Sequence, residues 1–149
     1  MWIGLAYGNL GCSDGETYQA LLYVKDHGIQ TEDAYPYVQR KEKCKVMGGA
    51  FKITSWHYVK GCSALATTIL ERPVSVSIDA TDWVHYKSGI FTQCDDKSNI
   101  NFDAYLVGAT STYWKLKNAW GTTWGEDGFI RIGHKETCGM CVDKCTWAA

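Results

Sequence analysis

The chain has 149 residues, of which 46% are apolar and 21% charged, so it can bury one sizeable core and is neither disordered nor fibrous. Fifteen Lys and Arg residues against sixteen Asp and Glu give a net charge of -1 with no block of like charges, so we expect no nucleic-acid binding. The longest apolar stretches, such as 104–109, are far shorter than the roughly 20 residues that span a bilayer, and no membrane span is predicted.

The first predicted element is a helix from Glu16 to His27. Its apolar and aromatic residues recur at spacings of three and four, which predicts one stripe that packs against another element: Ala20, Leu21, Tyr23 and Val24. Ser13 and Asp14 supply N-capping oxygens, and Gly28 ends the helix.

Turn and loop signals follow this helix. Residues 34–37 predict an extended turn, and the polar residues 39–45 predict a surface loop. We place a boundary near the glycine pair 48–49, which divides a helical segment (1–48) from a β-rich segment (49–149).

Alternating apolar and polar residues dominate the second segment. This period of two predicts strands at five places: 51–56, 73–78, 105–107, 113–117 and 129–132. A short helix is predicted over 63–70, and Gly121, Gly125 and Gly128 mark the loop before the last strand. Together the elements predict an α+β fold.

One long motif carries a family resemblance. Residues 117–132, with the sequence KNAWGTTWGEDGFIRI, closely resemble the asparagine-bearing segment of papain-like cysteine proteases, the cathepsin L type in particular. Further family landmarks follow one another in the expected order: 7–15, 34–37, 72–76 and 88–91. The resemblance implies an incomplete papain-like fold, in which 1–48 is a remnant of the helical left lobe and 49–149 is the β-barrel-like right lobe.

The resemblance also shows two departures from the catalytic pattern. The family's nucleophilic Cys lies roughly 130 residues or more before its His. The position that matches this His is occupied by Asp103, so we expect the nucleophile, its helix and the oxyanion-hole glutamine to lie before Met1. No His lies between His85 and His134 that a small shift of the alignment could bring to this position.

A carboxylate is a poor replacement for the imidazole that activates a thiol. The pKa of imidazole, about 6.5, is close to that of a thiol, about 8.5, whereas that of a carboxyl group is about 3.9. Proton transfer from thiol to carboxylate is therefore about 6 kcal/mol uphill. A neighbouring Asp103 carboxylate would also raise the pKa of the thiol.

Three more positions match family site residues. Asn118 matches the residue that orients the imidazole, and we interpret it as a structural amide that binds backbone groups. Trp120 matches the indole that shields the His–Asn pair, and we interpret it, like Trp124, as a core aromatic residue beside the remnant of the substrate groove. Gly15 matches the glycine that pairs with substrate, and it either keeps a peptide-binding edge or serves a turn that needs a positive φ.

Seven cysteines indicate disulfides in an oxidising compartment or a metal site. The resemblance implies a Cys94–Cys138 disulfide, whose loop of more than 40 residues contributes about 4 kcal/mol in the loop-entropy model. Cys12 and Cys44 match half-cystines whose usual partners lie outside this sequence. They are therefore free, paired with each other, or bridged to another chain.

The remaining cysteines allow alternatives. Near the C-terminus, one imidazole and three thiols lie close enough in sequence to bind zinc tetrahedrally: His134, Cys138, Cys141 and Cys145. We favour disulfides over zinc there, because the resemblance assigns Cys138 to a disulfide and Cys141 with Cys145 could form a local bridge, and we predict no metal and no cofactor. Cys62 is interpreted as a buried thiol, the alternative being a thiol whose pKa is lowered at a helix start.

We predict a catalytically inactive, truncated papain-family homologue that acts as a structural or interaction subunit. Its partner would be a protein that covers the apolar surface of helix 16–27 and of the barrel, which a complete left lobe would cover. The alternatives are the C-terminal chain of a split cysteine endopeptidase and a non-cleaving peptide-binding module. The family origin is secretory or lysosomal, but residues 1–6 do not resemble a secretion signal, so the compartment stays open.

Overall fold

The computed structural model describes residues 7–13, 15–40, 42–43, 45, 48–94, 99–134, 138–142 and 144–149. These residues form two α-helices, a short 3-10 helix and one seven-stranded mixed sheet, which confirms the α+β class. The helices are α1 (Thr17–His27) and α2 (Cys62–Thr68), and the 3-10 helix is Thr81–His85. The strands are β1 (Trp56–Lys60), β2 (Val74–Ile78), β3 (Ile90–Phe91), β4 (Phe102–Ala109), β5 (Tyr113–Lys117), β6 (Phe129–Gly133) and β7 (Lys144–Ala148).

The chain divides into two compact units, one of residues 1–57 with 148–149 and the other of residues 58–147. In the first unit, α1 begins after Glu16, whose N–H donates to Asn9 Oδ1 at 2.6 Å. The predicted Ser13 cap is wrong, because Asn9 supplies the oxygen from seven residues upstream; Asp14 lies outside the described residues.

The end of α1 is as predicted. Gly28 has a φ of 82° and donates its N–H to Val24 O at 2.8 Å. Of the predicted apolar stripe only Tyr23 is buried, and the other three residues are half-buried. Tyr23 Oη accepts the N–H of Gly48 at 3.0 Å and so connects α1 to the glycine pair.

The strand predicted over 51–56 is wrong for most of its length. Phe51 makes only an isolated bridge to Ile29, and β1 begins at Trp56. The amides of Thr54 and Ser55 both donate to Ala149 O, at 2.8 and 3.0 Å, so this part of the chain is bonded to the last residue rather than to a strand ladder.

The sheet has the order β1-β7-β2-β4-β5-β6-β3. Strands β2, β4, β5 and β6 pair antiparallel in that sequence, and β3 pairs parallel with β6. Alternate residues of the paired strands are fully buried and form the core of the second unit with Leu65 of α2 and Trp83 of the 3-10 helix: Val74, Val76, Ile78, Leu106, Trp114, Leu116, Ile130 and Ile132.

The sequence predicts these central strands well because each has one buried and one outer side. Strand β5 is predicted residue for residue, and the helix predicted over 63–70 corresponds to α2. The 3-10 helix, β3 and β7 are not predicted: β3 is two residues long, and β7 lies in the cysteine-rich tail. Among the described residues, no helix is long and apolar enough to cross a membrane.

Two disulfides lie within the second unit. Cys94 is bonded to Cys138, the pair that the resemblance implies, and Cys62 is bonded to Cys141. The interpretation of Cys62 as a buried or activated thiol is therefore wrong, and so is the local Cys141–Cys145 bridge. The zinc alternative is also contradicted, because two of its four ligands form disulfides with other parts of the chain.

We expect both disulfides to stabilise the second unit strongly. Replacing Cys62 and Cys141 together by serine should lower the free energy of unfolding by about 4 to 5 kcal/mol, because the bond closes a loop of 79 residues. Replacing Cys94 and Cys138, which are 44 positions apart, should lower the free energy of unfolding by about 4 kcal/mol. Urea unfolding followed by tryptophan fluorescence measures both.

The matched control is Cys12→Ser, which removes an exposed free thiol. It should leave the unfolding midpoint unchanged. A double variant of either pair that unfolds at the same urea concentration as the unchanged chain would contradict the stabilising role of that disulfide.

Candidate functional site

Asp103, which the resemblance matches to the family's histidine, lies on β4. Asp103 is exposed, and its register partner on β2 is Ser77. Ser77 Oγ donates to Asp103 Oδ1 at 2.7 Å. The neighbour Ala104 is only 5% exposed and faces the core. Because side chains alternate along a strand, the Asp103 carboxylate points away from the core. The hydrogen bond from Ser77 on β2 holds it there.

Asn118 directly follows β5 and is 8% exposed. Its N–H donates to Gly128 O at 2.9 Å, and its side-chain Oδ1 accepts the N–H of Ala119 at 2.7 Å. Its Nδ2 is buried without a hydrogen-bond partner among the residues that the structure describes. The acceptor of this amide is thus bonded to the backbone of its own loop.

The pairing of β4 with β5 brings these two positions to the same end of the sheet. Tyr105 pairs with Lys117, so one further step along the register sets Asn118 opposite Ala104, the neighbour of Asp103. The structure therefore brings together the positions of Asp103 and Asn118, which are 15 residues apart in the sequence.

The segment that precedes β4 is held by hydrogen bonds to Asp79, the residue that follows β2. Asp79 Oδ1 accepts the hydroxyl of Thr81 at 2.6 Å, and Oδ2 accepts the N–H of Asn99 at 2.8 Å. Burial raises the pKa of the Asp79 carboxyl, but the hydrogen bonds from Thr81, Asn99 and Asn101 outweigh burial and lower it. Asn101 also accepts the N–H of Ala80 at 3.0 Å.

Trp120 belongs to an aromatic cluster and is 39% exposed, so its interpretation as a plain core residue is wrong. Its ring lies edge-on to Trp124 at 5.1 Å and to Phe102 at 5.6 Å between centroids. Trp83 is fully buried and stacks on Trp124 at 6.2 Å. The cluster thus has a buried base and one partly exposed indole at its surface.

The loop that carries Trp120 and Trp124 is fixed by a charged pair. Arg131 Nε donates to Glu126 Oε2 at 2.8 Å, and the N–H of Gly89 donates to Glu126 Oε1 at 2.9 Å. The hydrogen bond from Arg131 lowers the pKa of Glu126 to about 2. One carboxylate therefore joins β6 to the turn before β3.

Tyr86 packs beside this pair. Its hydroxyl donates to Gly89 O at 2.7 Å and accepts the N–H of Arg131 at 3.3 Å. Burial, with the charge of Glu126, raises the pKa of the Tyr86 phenol.

Gly15 lies in the first unit and is exposed. Its φ is outside the positive range, so the alternative of a turn that needs a positive φ is wrong. A Cβ at this position would lie 2.7 Å from Asn9 Oδ1, the oxygen that binds the Glu16 N–H. Glycine is therefore required here by the close approach of Asn9.

The remaining predicted thiol and metal positions do not form a site. Cys12 is an exposed free thiol, and Cys44 lies outside the described residues. The buried Cys145 thiol donates to Met140 O at 3.2 Å. Within the described ranges, no group of three or more His, Cys, Asp or Glu side chains is arranged to hold a metal ion.

Two contacts at the site were missed by sequence reasoning. The Ser77–Asp103 hydrogen bond spans 26 residues and depends on the β2–β4 register, which no local pattern specifies. The Glu126–Arg131 pair could have been found, because opposite charges five residues apart flank a glycine turn.

Residues 5–147 match the family described as papain family cysteine protease. Cathepsin L 1 of Paramecium tetraurelia is 38% identical over 139 residues, which are 91% of this chain and 44% of that protein. Cathepsin L1 of Drosophila melanogaster is 36% identical over 154 residues, which cover 90% of this chain and 40% of that protein. The chain thus spans less than half the length of these curated relatives.

Solved structures show the same similarity. The Carica candamarcensis cysteine protease CMS1MS2, in complex with E-64, superposes with a TM-score of 0.88 at 29% identity and covers 99% of this chain and 74% of its own. Bromelain protease from Ananas comosus, also with this inhibitor, has a TM-score of 0.82 at 26% identity, with 95% and 72% covered. The fold is papain-like.

We expect Glu126→Gln to destabilise the second unit in a pH-dependent way. The folded pKa of about 2 lies below the ordinary value of 4.5, so the charged carboxylate stabilises the fold above about pH 4.5 and this contribution is lost as the pH falls towards 2. At pH 7 the loss should be about 1 kcal/mol after screening by solvent. Urea unfolding at pH 7 and at about pH 2 measures it.

The control is Glu71→Gln, which removes the acid of a more exposed pair with Arg72 and should change little at either pH. The original chain and the Glu126 variant should converge at low pH. An equal difference between them at both pH values would contradict the assigned role of the Glu126 charge.

Proposed function

The chain belongs to the papain family of cysteine proteases, and we propose that it is a catalytically inactive homologue that acts as a structural subunit of a protein assembly. The proposal rests on Asp103, which the resemblance matches to the family's general base and whose exposed carboxylate accepts the hydroxyl of Ser77 at 2.7 Å. The cathepsin L relative is more than twice as long as this chain, so the proposal concerns only the residues present here.

Asp103 is unsuited to activate a thiol wherever the nucleophile comes from. A Cys supplied by a preceding segment or by another chain would have to transfer its proton to a carboxylate, which is a much weaker base than an imidazole. Ser77 Oγ already donates to this carboxylate at 2.7 Å. The negative charge would also raise the pKa of a nearby thiol, whereas an imidazolium lowers it.

The position of the third triad member supports the same conclusion. Asn118 Oδ1 accepts the N–H of Ala119 at 2.7 Å, so this oxygen is bonded within its own loop. The loop itself is held by the Glu126–Arg131 pair and keeps its form without a histidine to orient. The contacts that position Asn118 and its loop therefore do not depend on a catalytic reaction.

The proposed role as a subunit is supported by the apolar side of α1, which is only partly buried. Tyr23 is the one buried residue of this helix among those described, and Ala20, Leu21, Leu22 and Val24 are only half-buried. Solved relatives contain a further quarter of the chain length. We propose that a protein partner covers this apolar side of α1, because such surface is favourably removed from water.

Two other functions would use the same fold. A split cysteine endopeptidase would need a second chain that carries the nucleophile, and a non-cleaving peptide-binding module would use the exposed edge at Gly15. Substitution of Gly15 is a poor test of the latter, since any side chain there meets Asn9 Oδ1 at 2.7 Å and disturbs the start of α1.

We expect the native particle that contains this chain to be much larger than 16.7 kDa and to be unlabelled by a tagged derivative of E-64. Native mass measurement and gel detection of the label in the same sample test both parts. The Cys12→Ser variant controls for reaction of the label with the exposed thiol.

Different results would contradict different parts of the proposal. A lone 16.7 kDa species would contradict the subunit role. Labelling of a co-purifying chain would identify a split protease. Labelling that is gained only in Asp103→His would show that the partner carries the nucleophile and that Asp103 alone blocks it.

A further inference from the structure

The outer side of β5 and β6 carries a cluster of cations and aromatic rings that the vestigial site does not use. We call it the basic face, and it is formed by Tyr113, Lys115, Lys117, Phe129 and Arg131. The residues between them along both strands are buried, so strand alternation points these five outwards. Lys115 and Lys117 are exposed, and the other three are half-buried.

The cations of this face lie over its aromatic rings. Lys115 Nζ is 4.8 Å from the centroid of the Phe129 ring, and Arg131 Cζ is 5.3 Å from that of Tyr113. Lys115 is also the direct register partner of Arg131, and like charges in that arrangement repel each other. The contacts with the rings hold the charges close to the sheet in spite of this repulsion.

The charge of the face is only partly compensated. Glu126 binds Arg131, and Asp103 lies on the same outer side of the sheet, two residues from Tyr105, the register partner of Lys117. In the described part of the chain, neither Lys115 nor Lys117 forms an ion pair within 4.0 Å. The chain as a whole has a net charge of -1. Two lysines without an ion pair, about 7 Å apart along one strand, therefore give this face a local excess of positive charge on a slightly acidic protein.

We propose that the basic face binds an acidic segment of the protein partner, with two of its carboxylates paired to Lys115 and Lys117. This inference rests on the proposed function, which requires a protein partner. Carboxylates on alternate residues of an extended segment are also about 7 Å apart, which matches the spacing of the two lysines. Aromatic rings and Arg beside such charges are typical of protein interfaces.

A nucleic acid fits this surface less well. Strong binding to phosphates needs many cation contacts, and the face offers two exposed lysines. Stacking of bases needs open aromatic rings, but Lys115 and Arg131 lie over the rings of Phe129 and Tyr113. A short acidic polypeptide requires neither.

The test is titration of the full chain into a fluorescein-labelled peptide of about nine residues with glutamate at every second position, followed by fluorescence anisotropy. Binding should weaken about tenfold when salt rises from about 0.05 to about 0.5 M. The Lys115→Glu/Lys117→Glu variant should bind about tenfold more weakly or worse. The neutral Lys115→Gln/Lys117→Gln variant should show a smaller loss.

The matched control is Lys60→Glu/Lys87→Glu, which makes the same change in net charge at two exposed lysines outside the basic face. It should bind the peptide within about twofold of the unchanged chain. Melting temperatures of all variants check that they are folded. If the Lys115→Glu/Lys117→Glu variant does not fold, the Lys115→Gln/Lys117→Gln variant provides the test.

Three results would overturn the inference: no binding of the peptide, an equal loss in the control variant, or tighter binding of single-stranded DNA than of the peptide. Failure of the inference is distinguishable from failure of the proposed function. If Lys115→Glu/Lys117→Glu remains in a large native particle, only the basic face is wrongly assigned. A monomeric chain that still binds the peptide would contradict the subunit role alone.

Discussion

The antiparallel block of β2, β4 and β5 is the constraint on which the candidate site depends. Val76, Leu106 and Leu116 are fully buried on its inner side. A shift of one strand by one residue would expose such side chains, so burial fixes the register. That register sets Asp103 beside Ser77 and brings Asn118 to the same end of the sheet. Packing, and not the chemistry of the outward side chains, thus determines where the site residues lie.

The positions of these residues are thus set by packing, which is consistent with the proposal that Asp103 takes the place of the family's base in a papain-like fold. Asp103 is exposed on the outer side of β4, so the identity of this side chain has little effect on the core. The loop of Asn118 and Trp120 is fixed from elsewhere, by the Glu126–Arg131 pair. The two disulfides hold the tail to α2 and to the segment after β3. None of these contacts requires catalysis.

We propose one surface for association in each unit. In the first unit it is the half-buried apolar side of α1, and in the second it is the basic face. The first favours burial from water and the second favours charge complementarity, which chiefly sets specificity and rate of association. Neither proposed surface includes Asp103 or Asn118.

The sequence by itself determined the elements whose burial alternates locally: α1 to its end at Gly28, β2, β5 and β6, together with the family motif at 117–132. It did not determine the cap that Asn9 supplies to Glu16 or the strand at 144–148. Nor did it determine the Cys62–Cys141 disulfide, which joins residues 79 positions apart. Local periodicity records which side of an element is buried, whereas these contacts depend on the path of the chain in space, which only the tertiary structure decided.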